Sequence, residues 1–488
     1  MHKYVHKYVI KIFCLVLIMA IAGTSSGLIT NSFADEFLDS DFEESDTFPE
    51  LDPDISSMED TEYNKDDPEN SLSRLSLGGF LKFRTEYGYN RYHKKLSRVE
   101  TALFLESDYK INDNLKFRGS VNAFYDFAYA IESRSEFSQE TLDDNEYDIA
   151  VKEFFLDGKL SNRLSIKAGR QVVVFGESEY ARILDVVNPR DLTRPGLISI
   201  EDARLPVNVI RLSYFSDNWL FDAASTHEHP GSDINGAGSD FDYYASIRRP
   251  GIIILNEKRG KSGFRSPGFA LRAKKSFNGG DISFVAANTY DDRPYLNIKA
   301  LTASGLVLQP KYNKYRTLGM SGNLVKGPVL FKFEGAFQNN IKLMRNDILK
   351  KINAKVPFAE IKTTRKSDKI ALLAGLEYTG ITNLRINFEV EKTHILSHEH
   401  FLSDEQNEYR TYTQATYSMM HNTLEFDILW VYFHPGNGNI LRLTTEYDLF
   451  DGLSILAGAA FYQSRSDSST IYPYNNQDRI FFQLKYSF

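Results

Sequence analysis

Two His-Glu-His triplets, His227-Glu-His229 and His398-Glu-His400, the second preceded by His394, are the residues best suited to gripping a divalent metal. Imidazoles at alternate positions of a strand, or in a loop, can converge on one ion. Both triplets fall in connections between apolar runs, where solvated histidines are the commoner occurrence, so no metal is assigned. The stretch Asp233-Ile-Asn-Gly-Ala-Gly-Ser-Asp-Phe-Asp242 offers oxygen ligands and flexible glycines that would suit Ca²⁺, but it lacks the spacing and closing Glu of a Ca²⁺ loop. An acidic surface loop is the simpler reading. A hydrolase would need a serine, a histidine and an orienting acid meeting at one place. His421 and His434 flank one strand, but no Gly-x-Ser-x-Gly elbow occurs. The reading is therefore of no enzyme, no catalytic residue and no cofactor.

A further set of charges suits electrostatics rather than bond chemistry. After Gln171 an apolar series, Val172, Val173, Val174, Ile183, Leu184, Val186 and Val187, is interleaved with Arg182, Asp185, Arg190, Asp191, Arg194, Glu201, Asp202 and Arg204. A loop lying in solvent has no use for those aliphatic side chains. The segment 172–206 is thus expected to fold inward, pack on a wall and narrow whatever space the wall encloses. Charges at a constriction act strongly on a passing solute because little water screens them. The alternative, that the same charges only tie the segment to the wall, stays open.

The elements that must position these residues alternate with a period of two. Leu75, Leu77, Leu81, Phe83, Thr85, Tyr87 and Tyr89 oppose Lys82, Arg84 and Glu86, and Val329, Phe331, Phe333 and Phe337 oppose Lys332 and Glu334. Successive side chains of a strand point to opposite faces, so one face is apolar and the other wet. Many runs last about nine or ten residues, the length a tilted strand needs to cross hydrocarbon. Tight links such as 111–114, 216–218, 278–280, 326–328, 380–383 and 451–452 alternate with long connections at 130–147, 172–206, 226–267, 291–313, 339–368, 393–410 and 464–478. Short turns on one side and long loops on the other are the outer-membrane arrangement. The expected fold is an all-β transmembrane antiparallel barrel of eighteen strands, or sixteen should the hairpins around 149–157 and 207–225 fail to form. Arg170 is an anomaly in this scheme: if Leu164, Ile166 and Ala168 face lipid, it does too, unless the strand has reached the headgroups or Gly169 sits in a bulge.

The N-terminal end reads differently. Lys3, Lys7 and Lys11, an apolar run from Ile12 to Gly23 and Ser32-Phe33-Ala34 resemble a secretory signal occupying 1–34. The one cysteine, Cys14, lies within it, which leaves no thiol for disulfides, metal sites or nucleophilic catalysis. Residues 35–72 carry sixteen Asp and Glu against Lys65 alone, too much charge to bury a core, and are expected to be disordered. The signal is +3 and this segment −15 within a total of −8, so residues 73–488, the expected barrel, carry +4. With no strongly basic face left, nucleic acid is not a partner.

Gly169-Arg-Gln-Val-Val-Val-Phe-Gly-Glu-Ser178, Val187-Asn-Pro-Arg-Asp191, Arg194-Pro-Gly196 and Glu201-Asp-Ala-Arg-Leu-Pro206 resemble a family of uncharacterised Gram-negative outer-membrane β-barrels, more distantly similar to alginate-export barrels. The specific match covers about residues 167–242, and members usually carry Trp where this chain has Phe175. The resemblance implies an uptake or export barrel of the outer membrane. Together with the strand pattern it leads us to expect a porin-like channel for a small or polymeric solute. The lipid bilayer and lipopolysaccharide would surround it, and homo-oligomers are compatible with the fold. The competing reading is a barrel-anchored structural or adhesion protein whose acidic segment binds a periplasmic partner.

Overall fold

The computed structural model describes residues 74–89, 95–229, 231–256, 266–354, 356, 360–467 and 469–488; the expected signal and acidic segment lie outside these. The described strands are β1 (Leu75–Gly88), β2 (Lys95–Asn112), β3 (Leu115–Asp126), β4 (Tyr147–Ser161), β5 (Leu164–Gln171), β6 (Val207–Ser216), β7 (Trp219–Thr226), β8 (Ile252–Ile254), β9 (Gly268–Phe277), β10 (Gly280–Tyr290) and β11 (Tyr295–Thr302). They continue with β12 (Gly305–Lys311), β13 (Lys314–Lys326), β14 (Val329–Met344), β15 (Thr364–Ile381), β16 (Leu384–Leu396), β17 (Asn407–Met419), β18 (Leu424–His434), β19 (Gly438–Phe450), β20 (Leu453–Ser464) and β21 (Arg479–Ser487). All but β8, β11 and β12 form one antiparallel sheet of eighteen strands. It closes because β1 pairs with both β2 and β21: Leu81 lies opposite Leu103 on one side and Tyr486 on the other. Closure leaves no unpaired sheet edge to face lipid.

Alternation sets which face is which. On β14, Phe331, Phe333 and Phe337 are about 40% exposed on the outside, whereas Lys332, Glu334, Ala336 and Gln338 are buried inside. Turn chemistry produces the tight ends, as where Met420, His421 and Asn422 adopt left-handed backbone between β17 and β18. Gly79 and Phe488 exchange backbone hydrogen bonds of 2.9 Å at the turn side, so both ends of the barrel lie there. One loop-side link, Pro435 to Asn437 between β18 and β19, is as short as a turn.

The long loop-side connections contain structure of their own. β8, β11 and β12 form a small sheet in which β8 runs parallel to β12. Tyr244, Leu296, Leu306, Leu308, Ile348 and Ile361 form its core. Tyr125 at the loop-side end of β3 is buried, its ring edge-on to Phe127.

Candidate functional site

The connection from Val172 to Pro206 has almost no regular structure, yet Val173, Phe175, Ile183, Leu184 and Val186 are at most 1% exposed. A segment without a backbone ladder must find other partners for its buried N–H groups. Glu334 of β14 supplies them: its Oε1 accepts from the N–H groups of Glu177 (2.6 Å) and Ser178 (2.8 Å), and its Oε2 from that of Leu184 (3.1 Å). Glu389 of β16 accepts from Ser178 Oγ (2.5 Å) and Glu179 N–H (3.2 Å). Further round the wall, Tyr462 of β20 donates to Pro195 O (2.7 Å), and Arg194 pairs with Glu86 of β1 (3.4 Å). The apolar side chains pack with Val209, Ala224, Ala270, Val285, Ala336 and Ala371 of the inner rows. The Arg272 guanidinium lies 4.9 Å from the centre of the Phe175 ring.

The charges expected to matter fall into separate groups. Arg182 (2.8 Å) and Arg190 (2.9 Å) share the carboxylate of Asp292, and Arg204 pairs with Asp185 (2.8 Å). Arg182 Nε also donates to the backbone carbonyl of Asp185, so these five residues form one network. Arg194 belongs to a second network, in which Glu86 also meets Arg84 (2.8 Å) and Arg479 (3.1 Å). Asp191 turns back on its own chain, accepting from Thr193 N–H (2.9 Å) and Oγ1 (2.5 Å). Glu201 and Asp202 sit in the short helix Ile200–Ala203, where Ser199 Oγ accepts from Asp202 N–H. Burial alone would raise the Asp292 carboxyl, but Arg190, Arg182 and Arg293 hold it well below the usual carboxylate range. Burial raises its neighbour Asp291, with the like charge of Asp292 adding to the effect and Arg293 opposing it. Asp292, Glu86, Glu334 and Glu389 were not singled out from the sequence as partners of 172–206. The acidic pair Asp291-Asp292 in a connection was the one available signal.

A family model described as a protein of unknown function, DUF1302, matches residues 14–488. The chain belongs to the DUF1302 family. That match extends well beyond the stretch 167–242 that carried the resemblance. No curated protein matches the sequence. Among solved structures, OccAB3 of Acinetobacter baumannii aligns with a TM-score of 0.50 at 12% identity, covering 85% of this chain and 99% of the other. OccAB1 of the same organism gives 0.50 at 8% identity, over 85% and 96%. OccK8 (OprE) of Pseudomonas aeruginosa gives 0.49 at 11% identity, over 85% and 98%. The likeness to OccAB3 and OccAB1 concerns the fold alone, a closed porin-like barrel.

The remaining candidates in this DUF1302 chain are engaged elsewhere. His229 is buried with its ring stacked on Tyr290 (4.0 Å between centroids) and edge-on to Tyr312 (4.8 Å), and burial lowers its pKa to about 4. Glu228 pairs with Arg170, which lies on the outer face opposite Phe154 at the loop-side end of β5. The β4–β5 register is unbroken at Gly169, so of the two explanations for Arg170 the strand end applies and the bulge does not. His398 Nε2 meets Asp404 O, His394 Nδ1 meets Asn407 Oδ1, and Glu399 pairs with Arg365. In the acidic stretch, Asp240 pairs with Lys95 and Arg479, and Asp242 with Arg248. His421 and His434 lie at opposite ends of β18, about 40 Å apart at ~3.3 Å per residue.

Proposed function

We propose that this DUF1302 chain is a porin-like outer-membrane channel for passive passage or export of a solute, narrowed by the connection 172–206 folding into its bore. The observation that carries this reading is the set of contacts made by one connection to Glu334 and Glu389 on one part of the inner wall and to Tyr462 and Glu86 on another. Eighteen strands enclose more space than their own inward side chains fill, and barrels of that size leave an aqueous lumen. A segment tethered at several points across such a lumen reduces it. Arg182, Asp185, Arg190, Asp191, Arg194, Glu201, Asp202 and Arg204 would then meet the solute. Because both signs are present, small zwitterionic or charged polar solutes suit the passage, and the resemblance to alginate-export barrels expected from the sequence would extend the choice to polymers.

Planar-bilayer recording of the purified protein tests the reading. Discrete conductance steps are expected, and deletion of 176–204 should enlarge them severalfold. Absence of conductance, or a deletion without effect, refutes it.

A further inference from the structure

The outer face of the barrel changes character abruptly at one place. Trp430, Leu441 and Phe461 lie in direct register across β18, β19 and β20 and form an apolar outward row. One step toward the loop side, roughly 7 Å along the strands, the next outward row is Tyr432, Asn439 and Gln463. Above it opens a cleft of about 690 Å³, to which Asn437, Arg465 and Asn475 also contribute. Its shape is held by the chain itself. Tyr432 OH donates to Asn437 Oδ1 (2.7 Å), while Asn475 accepts from Ser464 N–H (2.5 Å) and donates to Ser464 O (2.9 Å). Arg465 has no ion-pair partner among the described residues.

From this arrangement we propose that the cleft binds a saccharide head group, with the glycolipid of the outer leaflet as its source. Carboxamides present a donor and an acceptor side by side, the pairing that adjacent sugar hydroxyls require. Among the described residues the lining holds no carboxylate and one guanidinium, so it suits a neutral or phosphate-bearing sugar and disfavours cations and amines. The volume lies within the range of small-ligand sites. Position selects the lipid-borne form: the apolar-to-polar step marks the hydrocarbon boundary, and aromatic residues such as Trp430 and Tyr432 favour that depth. A head group in the cleft would leave its acyl chains against Trp430, Leu441 and Phe461. A free saccharide shares the chemistry but not that lower contact. The proposal rests on the barrel being embedded in a membrane and not on what passes through it.

The test is native mass spectrometry of the full-length protein purified in mild detergent after incubation with rough lipopolysaccharide, with folding checked by heat-modifiable gel mobility. Wild-type barrels should retain a glycolipid adduct, and the Asn439→Ala/Gln463→Ala pair and Arg465→Glu should each reduce it at least fivefold. Asn288→Ala, on the outward face of β10 and away from the cleft, should retain it as wild type does. Adding the delipidated core oligosaccharide at millimolar concentration separates the sources: failure to displace the adduct supports the lipid-borne form, and full displacement overturns it in favour of a soluble sugar. No adduct on the wild type, or equal adducts on the folded double variant, overturns the site itself.

Discussion

Replacing Glu334 by glutamine should loosen the tip of the 172–206 connection without changing the shape of the wall. The carboxylate receives three backbone N–H groups, two on Oε1 and one on Oε2. A glutamine in the same rotamer can keep two of these with its carbonyl oxygen, but its NH₂ group must then point at the Leu184 N–H. That residue is fully buried, so the N–H finds no water in exchange. A hydrogen bond to a charged group contributes about 1.5–3 kcal/mol, and an orphaned buried donor costs a comparable amount. Taking about 3 kcal/mol for the whole change shifts the docked-to-undocked ratio roughly a hundredfold. In single-channel records this should appear as a larger-conductance level visited about a hundred times more often than in wild type. Glu334→Gln protein with normal heat-modifiability and an unchanged record would refute the role assigned to these bonds.

Asp292→Asn removes the anion shared by Arg182 and Arg190 and should raise the anion-to-cation permeability ratio severalfold, measured as a reversal potential in a KCl gradient; an unmoved potential would contradict the proposed path. His229 is held neutral by burial with a pKa near 4, against 6.5 when free, so the unfolded connection binds more protons between these values. Order around His229 should therefore weaken by about 3 kcal/mol as pH falls from 6.5 to 4, seen as faster hydrogen exchange, and His229→Phe should abolish that dependence. Gly169 has φ +134, and an added Cβ would run into Phe154 O and lie 2.7 Å from Phe155 Cα. Gly169→Ala should cost about 2 kcal/mol or more and lower the urea midpoint of barrel unfolding; an unshifted midpoint would show the backbone can relax there.

Most of the barrel was legible because lipid and the interior impose opposite demands on alternate residues. The two hairpins on which the strand count depended are the places where that rule is masked. In β4 an irregularity falls between Val151 and Phe154, so outward Ile149 and Val151 are followed by outward Phe154 and Leu156 and the parity slips. In β6 both faces are apolar: Ile210, Leu212 and Tyr214 face out while Val207 and Val209 face in against the connection. The small sheet of β8, β11 and β12 was hidden within stretches read as loops, although Ile252, Leu296, Leu306 and Leu308 hinted at a core. In the candidate site the charged residues of 172–206 could be named, but their partners outside the connection could not. Asp292 lies about a hundred residues away from Arg182 and Arg190, and Glu86 about as far from Arg194, and no periodicity carries such pairings.

The inner wall gives the physical reason why the connection needs an apolar face at all. Ala224, Ala270 and Ala287 stand in direct cross-strand register on β7, β9 and β10, and Val285, Gly319, Ala336 and Ala371 continue the series through β10, β13, β14 and β15. A barrel meant only to hold water would have no need of small residues in consecutive strands at one level. Here they make room: a Cβ on Gly319 would lie 2.5 Å from Leu184 Cδ2. Toward the turn side the same strands carry Arg272, Lys332 and Glu377, charged and in ion pairs. The inner face is thus layered, with a belt of small residues that accepts Phe175, Ile183 and Leu184 and polar rows beneath it. Burying those side chains at ~25 cal/mol per Å² is what offsets the entropy of ordering a long irregular segment. Enlarging the belt residues would act on the connection before it acted on the barrel, because the ladder bonds between strands do not depend on what those side chains touch.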